Sequence, residues 1–462
     1  MKRIALLLPD GVGIRNYLYS NLLNELLKNG CKPILVHNLS DDAIKEVEKH
    51  HNYEFIRKKI LPYKESIKQK FFRELISLSR LKYNIGLTDN NSLLDNWKPN
   101  KNNIKNKIFY FLVESCSVFV SKKYKRILSL EKSYDNLFYD RLNYIFLKEL
   151  NVDAVFSTHQ RSIIAIPLIK AAKVLGIKTY GVIFSWDNLP KARLAVRTDD
   201  YLVWSEYMKN EMSFFYPEIE QNKIIVTGTP QFEFYYNENL IIPKQEFFNK
   251  FGLDISKKTI CFSGDDERTS PYDPIYLNDL AEKVSELPKS DQPQILLRRC
   301  PVDLSGRFDA IVEKYHQLIK VAEPIWSYDR NDKADWTLVY PKFEDVTLLI
   351  NTVKYCDVVL NVGSTMAHDF AMLKKPAIYI NYDISNAKNW SVDTIYKFQH
   401  FRSMGELNAV IWLNSKEEII NVLNQTLELN NYKMKYEGDK WLNLIANYRE
   451  SSSKKIVNHL LK

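Results

Sequence analysis

Residues 357–380 read DVVLNVGSTMAHDFAMLKKPAIYI, and this stretch decides the fold. The apolar residues at its start predict a buried strand, and those at its end predict a second strand. Between the two strands, Gly363 makes a turn and Ser364 or Thr365 can cap a helix. A helix that begins there aims its N-terminus and its free backbone N–H groups at an anion. The stretch therefore predicts a strand, turn, helix and strand that can bind a phosphate.

Two side chains of the predicted helix are further candidates for a ligand site. Asp369 lies one turn beyond the cap, where its carboxylate can accept hydrogen bonds from a ribose diol. His368 precedes it, although a histidine on such a helix is more often a satisfied polar group than a catalyst. The alternative for the whole stretch is an ordinary N-capped helix. The residues thus predict either a nucleotide site or a helix without a ligand.

The alternation of apolar strands and helices extends outward from this stretch over most of the chain. In the first half, strand signals lie at 4–8, 33–36, 154–157, 179–184 and 201–204. In the second half, they lie at 224–226, 259–262, 294–297, 338–340, 357–360, 377–380 and 410–413. Strands that alternate with helices predict parallel sheets, and 462 residues exceed one ordinary core. The predicted fold class is α/β, with two Rossmann-like parallel-sheet domains facing a cleft.

The same pattern suggests the domain limits. We predict a first domain at 1–215 and a second domain at 216–440, while the helical residues 441–462 can cross back to the first domain. The alternation of strands and helices is interrupted between about 60 and 150, where the sequence is basic and aromatic and its apolar residues have helical spacing. This segment is predicted to be a helical insertion in the first domain.

Polar residues also follow predicted strands of the second domain. Ser263 and Gly264 come directly after one strand, and their small size lets a ligand approach the backbone. Arg298 and Arg299 end the next strand, and a guanidinium fork suits a phosphate. Because adjacent strand residues point to opposite faces, at most one arginine is expected to reach a ligand. The alternative is an ion-paired arginine at the rim of the sheet.

At these residues the sequence resembles a known family. The run 357–380 looks like the donor-site strand, turn and helix of GT-B glycosyltransferases. The segments SWDNL at 185–189, YLVW at 201–204 and VTGTPQF at 226–232 are similar to bacterial surface-polysaccharide glycosyltransferases and to the related CDP-glycerol glycerophosphotransferases. The resemblance covers the order of elements across about residues 1–30 and 150–415, and the helical insertion lies outside it.

The resemblance implies a donor nucleotide held by the second domain, with Ser364 and Thr365 near its diphosphate and Asp369 near its ribose. It also implies an interdomain turn at Gly228, Thr229 and Pro230. The donor-site candidates are Gly228, Thr229, Ser263, Gly264, Arg298, Arg299, Gly363, Ser364, Thr365, His368 and Asp369. One departure is that RRCP at 298–301 stands where many relatives carry His-Pro.

Three residues of the first domain are candidates for the catalytic base. Asp10, His159 and Asp187 each follow a predicted strand, where open parallel sheets bind ligands. An inverting transfer needs one carboxylate or imidazole to take the acceptor proton. The sequence leaves all three open as alternatives.

The function predicted on this basis is transfer of a sugar from a nucleotide-sugar donor to a cell-surface glycan or lipid-linked acceptor, by an inverting and metal-independent reaction. The nucleotide sugar is a co-substrate, so no cofactor is expected. The paired carboxylates Asp265 and Asp266 can suggest a metal, but no matching ligands can be assigned, and we predict none. The alternatives are a CDP-glycerol-type phosphotransferase, and a non-catalytic or epimerase-like protein on the same fold.

The net charge of +9 is concentrated in two clusters and favours an anionic partner. The clusters comprise Arg57, Lys58, Lys59, Lys64, Lys68, Lys70 and Arg73, and then Lys122, Lys123, Lys125 and Arg126. A basic amphipathic helix can lie on an anionic membrane, although a solvated helix face is the alternative. Nucleic acid is not an expected partner, because no DNA or RNA motif accompanies the charge.

The remaining sequence signals concern location and cysteines. The apolar start at 4–8 is shorter than the core of a signal peptide, so the expected location is the cytoplasm, including the inner face of the membrane. Five cysteines without a CxxC pair argue against a disulfide framework and a zinc site. Each cysteine is expected to be a small core residue.

Overall fold

The computed structural model of the chain describes residues 1–138, 140–328, 339–385, 387, 390–428 and 432–462, without the side chains of 428 and 432–435. These residues form two compact units. The first unit comprises Met1–Pro230, Phe398–His400 and Ile445–Lys462, and the second comprises Gln231–Lys397 and Phe401–Leu444.

The first unit is built on a parallel sheet. Its described strands are β1 (Arg3–Leu8), β2 (Lys32–His37), β3 (Ile56–Lys59), β4 (Ala154–Ser157), β5 (Lys178–Val182), β6 (Asp200–Val203) and β7 (Ile224–Val226). They lie in the order β3-β2-β1-β4-β5-β6-β7. The inner strands are buried on both faces, as helix-covered parallel strands are, which is why they read as continuous apolar runs.

Helices cover this sheet and extend from it. They are α1 (Leu22–Lys28), α2 (Asp41–His51), α3 (Ile67–Thr88), α4 (Ile104–Val120), α5 (Tyr124–Asp135), α6 (Arg141–Leu150), α7 (Ile166–Val174) and α8 (Glu206–Phe215). The four helices α3 to α6 lie between β3 and β4 and form the predicted helical insertion. A capping box between Ser66 and Gln69 starts α3, since each side chain bonds the other residue's backbone N–H.

A buried arginine fastens the insertion to the sheet unit. Arg80 of α3 is 1% exposed, and its guanidinium donates to Glu131 of α5 at 2.5 Å and to Glu218 at 2.7 Å. The centre of the same guanidinium lies 4.7 Å from the ring centroid of Tyr216. Because loss of one partner would leave a buried charge uncompensated, this cluster fixes the position of α3.

The second unit has its own parallel sheet. Its described strands are β8 (Thr259–Ser263), β9 (Gln294–Arg298), β10 (Ile319–Val321), β13 (Val358–Asn361), β14 (Ala377–Ile380) and β15 (Ile411–Leu413), in the order β10-β9-β8-β13-β14-β15. A separate antiparallel pair is formed by β11 (Trp326–Tyr328) and β12 (Val339–Pro341). The accompanying helices are α9 (Lys244–Phe251), α10 (Asp273–Ser285), α11 (Asp309–Lys314), α12 (Phe343–Tyr355), α13 (Met366–Met372), α14 (Val392–Tyr396), α15 (Ile419–Glu428) and α16 (Tyr432–Ile445). The last helix, α17 (Ser452–Leu460), belongs to the first unit.

The two-sheet α/β fold class is confirmed, and several strand assignments are corrected. β7 was predicted to open the second sheet, but it pairs with β6 at the edge of the first sheet. β3 and β10 were not predicted, because short edge strands with charged residues lack an apolar run. The predicted strand 338–340 begins at Leu338, which lies outside the described residues, and β12 contains its other two positions.

The first basic cluster does not form one amphipathic helix. Its first three residues lie on β3, whereas the later ones lie in the following loop and on α3. Lys59 forms an ion pair with Asp41, and Arg73 forms ion pairs with Glu65 and Glu74. Lys59 and Arg73 are therefore compensated within the first unit.

Two further observations concern membranes and cysteines. Within the part of the chain that the structure describes, no helix has the length and apolar composition needed to cross a bilayer.

Four cysteines are buried as predicted, but Cys116 is exposed on α4. The prediction that every cysteine is a core residue is wrong at this position, because α4 presents an apolar face to solvent.

Candidate functional site

Two of the predicted catalytic residues meet at the switch point of the first sheet. Asp10 follows β1 and His159 follows β4, which are neighbouring strands whose chain connections lead to opposite sides of the sheet. The Nδ1 atom of His159 lies 2.7 Å from Oδ2 of Asp10. Oδ1 of Asp10 accepts a hydrogen bond from the Val12 N–H at 3.2 Å. The sequence left Asp10 and His159 as alternatives, whereas the structure joins them in one pair.

A glycine allows this close approach. A Cβ atom on Gly13 would lie 2.7 Å from Oγ1 of Thr158, the residue before His159. The Thr158 hydroxyl donates to the carbonyl of Leu7 at 3.0 Å, which holds the loop after β4 against β1. A larger residue at position 13 would push the Asp10 loop away from His159.

Both residues of the pair are buried. A carboxylate can only accept hydrogen bonds, so it matches the tautomer of His159 that carries its proton on Nδ1. This tautomer leaves the Nε2 lone pair of His159 as the acceptor. An imidazole held in this way can take a proton from a hydroxyl group.

Asp187 occupies a different environment after β5. Its carboxylate pairs with Lys191 and accepts a hydrogen bond from the Asn188 amide at 2.6 Å. Burial alone would raise the pKa of Asp187, but the charge and the hydrogen bond of Lys191 hold that pKa below its ordinary value. Its hydrogen bonds go to its own turn, so the structure does not join it to the Asp10 and His159 pair.

Two residues beside His159 were missed by the sequence reasoning. The Gln160 amide donates to Oδ1 of Asn188 at 2.7 Å and accepts from the Phe184 N–H at 3.0 Å, which links the loops after β4 and β5. Burial lowers the pKa of Arg161, and the negative charges of Asp187 and Asp10 oppose that shift. Both residues lie in the loop that follows β4, and this position was the signal that could have found them.

Glu211 of α8 is a third missed residue, and nothing in the sequence distinguishes it from an ordinary helix glutamate. It is buried, and neither carboxyl oxygen has a hydrogen-bond partner among the described residues. Burial, with a smaller contribution from the charge of Asp187, raises the pKa of Glu211 to about 8. The group is therefore mostly protonated at neutral pH.

Gly228 and Thr229 lie near the end of the main segment of the first unit. Gly228 has a φ of +78°, and a Cβ atom there would lie 2.3 Å from the carbonyl oxygen of Asn447 and from Oγ of Ser452. A residue before α17 and the first residue of α17 thus pack directly on this glycine. The Thr229 hydroxyl is buried with no hydrogen-bond partner among the described residues.

The second sheet has its switch point between β8 and β13, and predicted donor-site residues follow both strands. Ser263 ends β8, and the Gly264 N–H donates to the carbonyl of Arg298 at 3.0 Å. A Cβ atom on Gly264 would lie 2.8 Å from the ring of Phe308. Close packing against this ring therefore also favours glycine at position 264.

The turn after β13 has the predicted arrangement of glycine and hydroxyl residues. Gly363 adopts a φ of +65° and packs against Ile395 and Phe401. The Ser364 N–H donates to the side chain of Asn361 at 2.8 Å. Thr365 is the exposed N-cap residue of α13, but its side chain makes no capping hydrogen bond.

The two candidates on α13 have contacts within the second unit. The hydroxyl of Tyr235 donates to Oδ1 of Asp369 at 2.8 Å. His368 is buried, and the centre of its ring lies 4.4 Å from that of Trp441. His368 thus has a packing contact, while Asp369 is only partly buried.

Both arginines at the end of β9 have carboxylate partners. Nη2 of Arg298 donates to both oxygens of Asp345, at 3.1 and 2.9 Å, and its Nη1 is buried with no partner among the described residues. Asp345 also accepts from the indole N–H of Trp326 at 2.8 Å. Arg299 pairs with Glu323 and with Asp309. The geometry therefore favours the ion-paired alternative for the two arginines.

One group of residues could offer ligands to a metal ion. Carboxylate oxygens of Asp265 and Asp266 and the Sγ atom of Cys300 all lie within 4.8 Å of one another. Burial raises the pKa of Asp265 to about 7, and burial also raises the pKa of the Cys300 thiol. A protonated thiol is a poor metal ligand, because the thiolate is the binding form. The prediction of a metal-independent site stays a prediction.

Comparisons with known proteins define the fold. No protein-family model matches the chain, and no curated protein matches it. The UDP-GlcNAc 2-epimerase from Methanocaldococcus jannaschii is 14% identical with a TM-score of 0.54, over 99% of each chain. The UDP-GlcNAc 2-epimerase from Neisseria meningitidis, solved bound to UDP-GlcNAc, is 12% identical with a TM-score of 0.50, over 100% of each chain.

A glycosyltransferase from Rickettsia africae is also similar. It is 12% identical with a TM-score of 0.52, over 100% of this chain and 99% of that one. At these identities the likeness shows the fold, which is the GT-B arrangement of two parallel-sheet α/β domains. It does not extend to the CDP-glycerol phosphotransferases or to a particular reaction.

Proposed function

We propose that the chain is a nucleotide-sugar enzyme that transfers a glycosyl group to a hydroxyl acceptor. The single observation that carries this proposal is the Asp10 and His159 pair at the switch point of the first sheet. Switch points of open α/β sheets are where ligands bind, and a histidine oriented by a carboxylate is suited to proton transfer.

In the proposed reaction, His159 is the general base and Asp10 is its positioning residue. Nε2 of His159 takes the proton of the acceptor hydroxyl as that oxygen attacks the anomeric carbon. The bond from the anomeric carbon to the phosphate oxygen breaks, and the nucleoside diphosphate leaves with the electron pair. Asp10 stabilises the imidazolium that forms. The transfer inverts the anomeric centre and needs no metal.

The second unit is proposed to bind the nucleotide. Ser364 and Thr365 would contact the diphosphate and Asp369 the ribose, because these residues follow β13 beside the second switch point. Ser263 and Gly264 follow the neighbouring strand. Arg299 would reach a phosphate only by giving up a carboxylate partner, whereas Arg298 could offer its Nη1 while its Nη2 stays on Asp345. Because both guanidiniums are already ion-paired, they are the weaker members of the proposed set.

The acceptor is proposed to be a cell-surface glycan or a lipid-linked saccharide, as the resemblance to surface-polysaccharide enzymes suggests. A second candidate function is epimerisation of a UDP-N-acetylhexosamine. It is favoured by the similar structures, which include UDP-GlcNAc 2-epimerases from two organisms described above. The two candidates share a nucleotide-sugar substrate and differ in the need for an acceptor.

Product analysis distinguishes the candidates. The purified protein would be incubated with UDP-GlcNAc and with a panel of other nucleotide sugars, with and without saccharide acceptors, and the anomeric protons followed by NMR. Transfer releases a nucleoside diphosphate only when an acceptor is present. Epimerisation gives a second sugar nucleotide without an acceptor, and release of CMP from CDP-glycerol would identify the phosphotransferase alternative. Consumption of no donor under any condition would contradict the proposal.

A further inference from the structure

Helix α4 of the insertion presents an apolar face to solvent. Its large apolar side chains with the highest exposure are Ile104 at 75%, Phe111 at 65%, Phe119 at 61%, Ile108 at 57%, Val118 at 54% and Leu112 at 49%. At about 100° per residue, these six side chains fall within an arc of about 120° on one side of the helix. They form one continuous stripe, which is called the outer stripe below.

The opposite side of α4 already has its own packing partner. Val113 is buried in a cluster with Leu75 and Leu78 of α3, against which Phe109 and Val120 also pack. The helix is thus apolar on two faces, and its inward face accounts for its attachment to the first unit. The side chains of the outer stripe, in contrast, remain half to three-quarters exposed in the described part of this unit.

Positive charge surrounds the outer stripe. Lys105 and Lys107 are exposed and border it on either side near the start of α4. Beyond the end of the helix, Lys122, Lys123 and Lys125 are exposed. The guanidinium centre of Arg126 lies 3.6 Å from the ring centroid of Phe119. The one acidic residue of α4, Glu114, pairs with Lys101 at 2.7 Å.

We propose that the outer stripe of α4 docks on an anionic lipid bilayer, with the helix lying in the plane of the interface. A helix with large apolar side chains on one side and lysines along the borders is suited to the boundary between headgroups and acyl chains. The lysines would reach the anionic headgroups while the apolar side chains enter the acyl region.

The charge pattern selects a bilayer over a second copy of the chain. Two copies joined through the outer stripe would bring the bordering lysines toward one another, and lysine is depleted at the core of protein interfaces. An anionic surface instead neutralises the lysines. We therefore place the docking site on α4, and this inference is independent of the proposed function.

Cys116 provides a direct measurement on the wild-type chain. It is exposed at the border of the outer stripe, while the other four cysteines are buried. A polarity-sensitive fluorophore attached to Cys116 is expected to shift its emission to shorter wavelength on vesicles of phosphatidylcholine mixed with phosphatidylglycerol. Vesicles of phosphatidylcholine alone should give a much smaller shift. No shift on the anionic vesicles would overturn the proposal.

Co-sedimentation with the same vesicles tests whether the apolar and basic residues of α4 contribute to binding. The double variant Ile108→Ser/Phe111→Ser is expected to bind anionic vesicles at least about tenfold more weakly, because two large apolar side chains no longer enter the bilayer. The control Val174→Ser/Ile275→Ser changes exposed apolar residues elsewhere and should bind like the wild type. The variant Lys105→Gln/Lys107→Gln should lose affinity for anionic vesicles in low salt.

Two results would contradict the docking site. One is wild-type vesicle binding by a folded Ile108→Ser/Phe111→Ser variant, with folding checked by circular dichroism. The other is a change in the oligomeric state of that variant, measured by light scattering, while its vesicle binding stays unchanged. The second result would assign the outer stripe to contact between copies of the chain.

Discussion

The imidazole Nδ1 of His159 lies 2.7 Å from the carboxylate of Asp10, although 149 residues separate the two in the chain. Because Asp10 also accepts a hydrogen bond from the Val12 N–H, its carboxylate is fixed from two directions. In the proposed reaction, this geometry makes His159 the general base and Asp10 its positioning residue.

The first prediction concerns these roles. His159→Ala should lower kcat about 10²-fold or more, the range for loss of a general base, with unchanged nucleotide affinity. Asp10→Asn should lower kcat and change the pH profile, because an amide does not stabilise the imidazolium. The control His316→Ala changes an exposed histidine of the second unit and should retain full turnover. Normal turnover in His159→Ala would exclude His159 as the base.

The second prediction concerns the nucleotide site. Asp369→Asn should weaken nucleotide binding about tenfold, because a carboxylate that accepts hydrogen bonds from ribose hydroxyls becomes a neutral amide. Thr365→Ala should weaken binding in the same direction. Asp393→Asn is the matched control, since its exposed carboxylate pairs with Lys397. Isothermal titration calorimetry would measure the nucleotide affinity of all three variants. Unchanged affinity in both site variants would exclude this site assignment.

The third prediction separates the two arginines at the end of β9. Arg298→Met should destabilise the fold by about 3–5 kcal/mol, because the buried carboxylate of Asp345 loses its cationic partner. Arg299→Met should cost less than about 1 kcal/mol, because its partners Glu323 and Asp309 are largely exposed. Urea denaturation of each variant is the measurement. Equal stability of the two variants would contradict the structural role of Arg298.

The fourth prediction is a pH dependence of stability. The folded-state pKa of Glu211 is about 8, above the ordinary value of 4.5, so the unfolded chain releases this proton first as the pH rises. This group therefore lowers stability progressively from about pH 4.5 to pH 8. Glu211→Gln should gain stability relative to the wild type over that range, by on the order of a few kcal/mol. Urea unfolding at a series of pH values would show it, and a difference that does not change with pH would refute it.

The fifth prediction concerns the contact beneath the C-terminal segment. Gly228→Ala should destabilise the fold by more than about 2 kcal/mol, because the substitution adds a backbone strain at φ +78° and a clash with Asn447. Gly30→Ala is the control, since Gly30 has a similar φ of +71° but no atom within 4 Å of the added Cβ. Thermal unfolding of the two variants measures the difference, and equal loss of stability would show that the contact contributes nothing.

The sequence predicts the two-sheet fold because strands buried on both faces read as unbroken apolar runs. It fails at β3, whose residues IRKK are largely exposed at the edge of the sheet. It also assigns β7 to the second sheet, because chain order alone does not determine which sheet an edge strand joins. The pairing of β7 with β6 depends on tertiary contacts.

The candidate residues were found by their position after strands, but their partners could not be predicted. Asp10 contacts His159 because β1 and β4 are neighbouring strands. The two strands are far apart in the chain, so the sequence alone does not show that they pair. Asp345, the partner of Arg298, lies 47 residues away on α12 and belongs to no motif. Exposure of the outer stripe was not predicted either, since an apolar helix is equally compatible with a buried position.

The most direct test of the central claim is the thermal stabilisation of the purified protein by UDP, GDP, CDP, CMP and dTDP and by their sugar conjugates. A ligand that binds the folded state raises stability in proportion to RT ln(1 + [L]/Kd). We predict that one nucleoside diphosphate and its sugar conjugate raise the melting temperature selectively, and that Asp369→Asn reduces this effect. Absence of stabilisation by every nucleotide and every conjugate would contradict the account of this chain as a nucleotide-sugar enzyme.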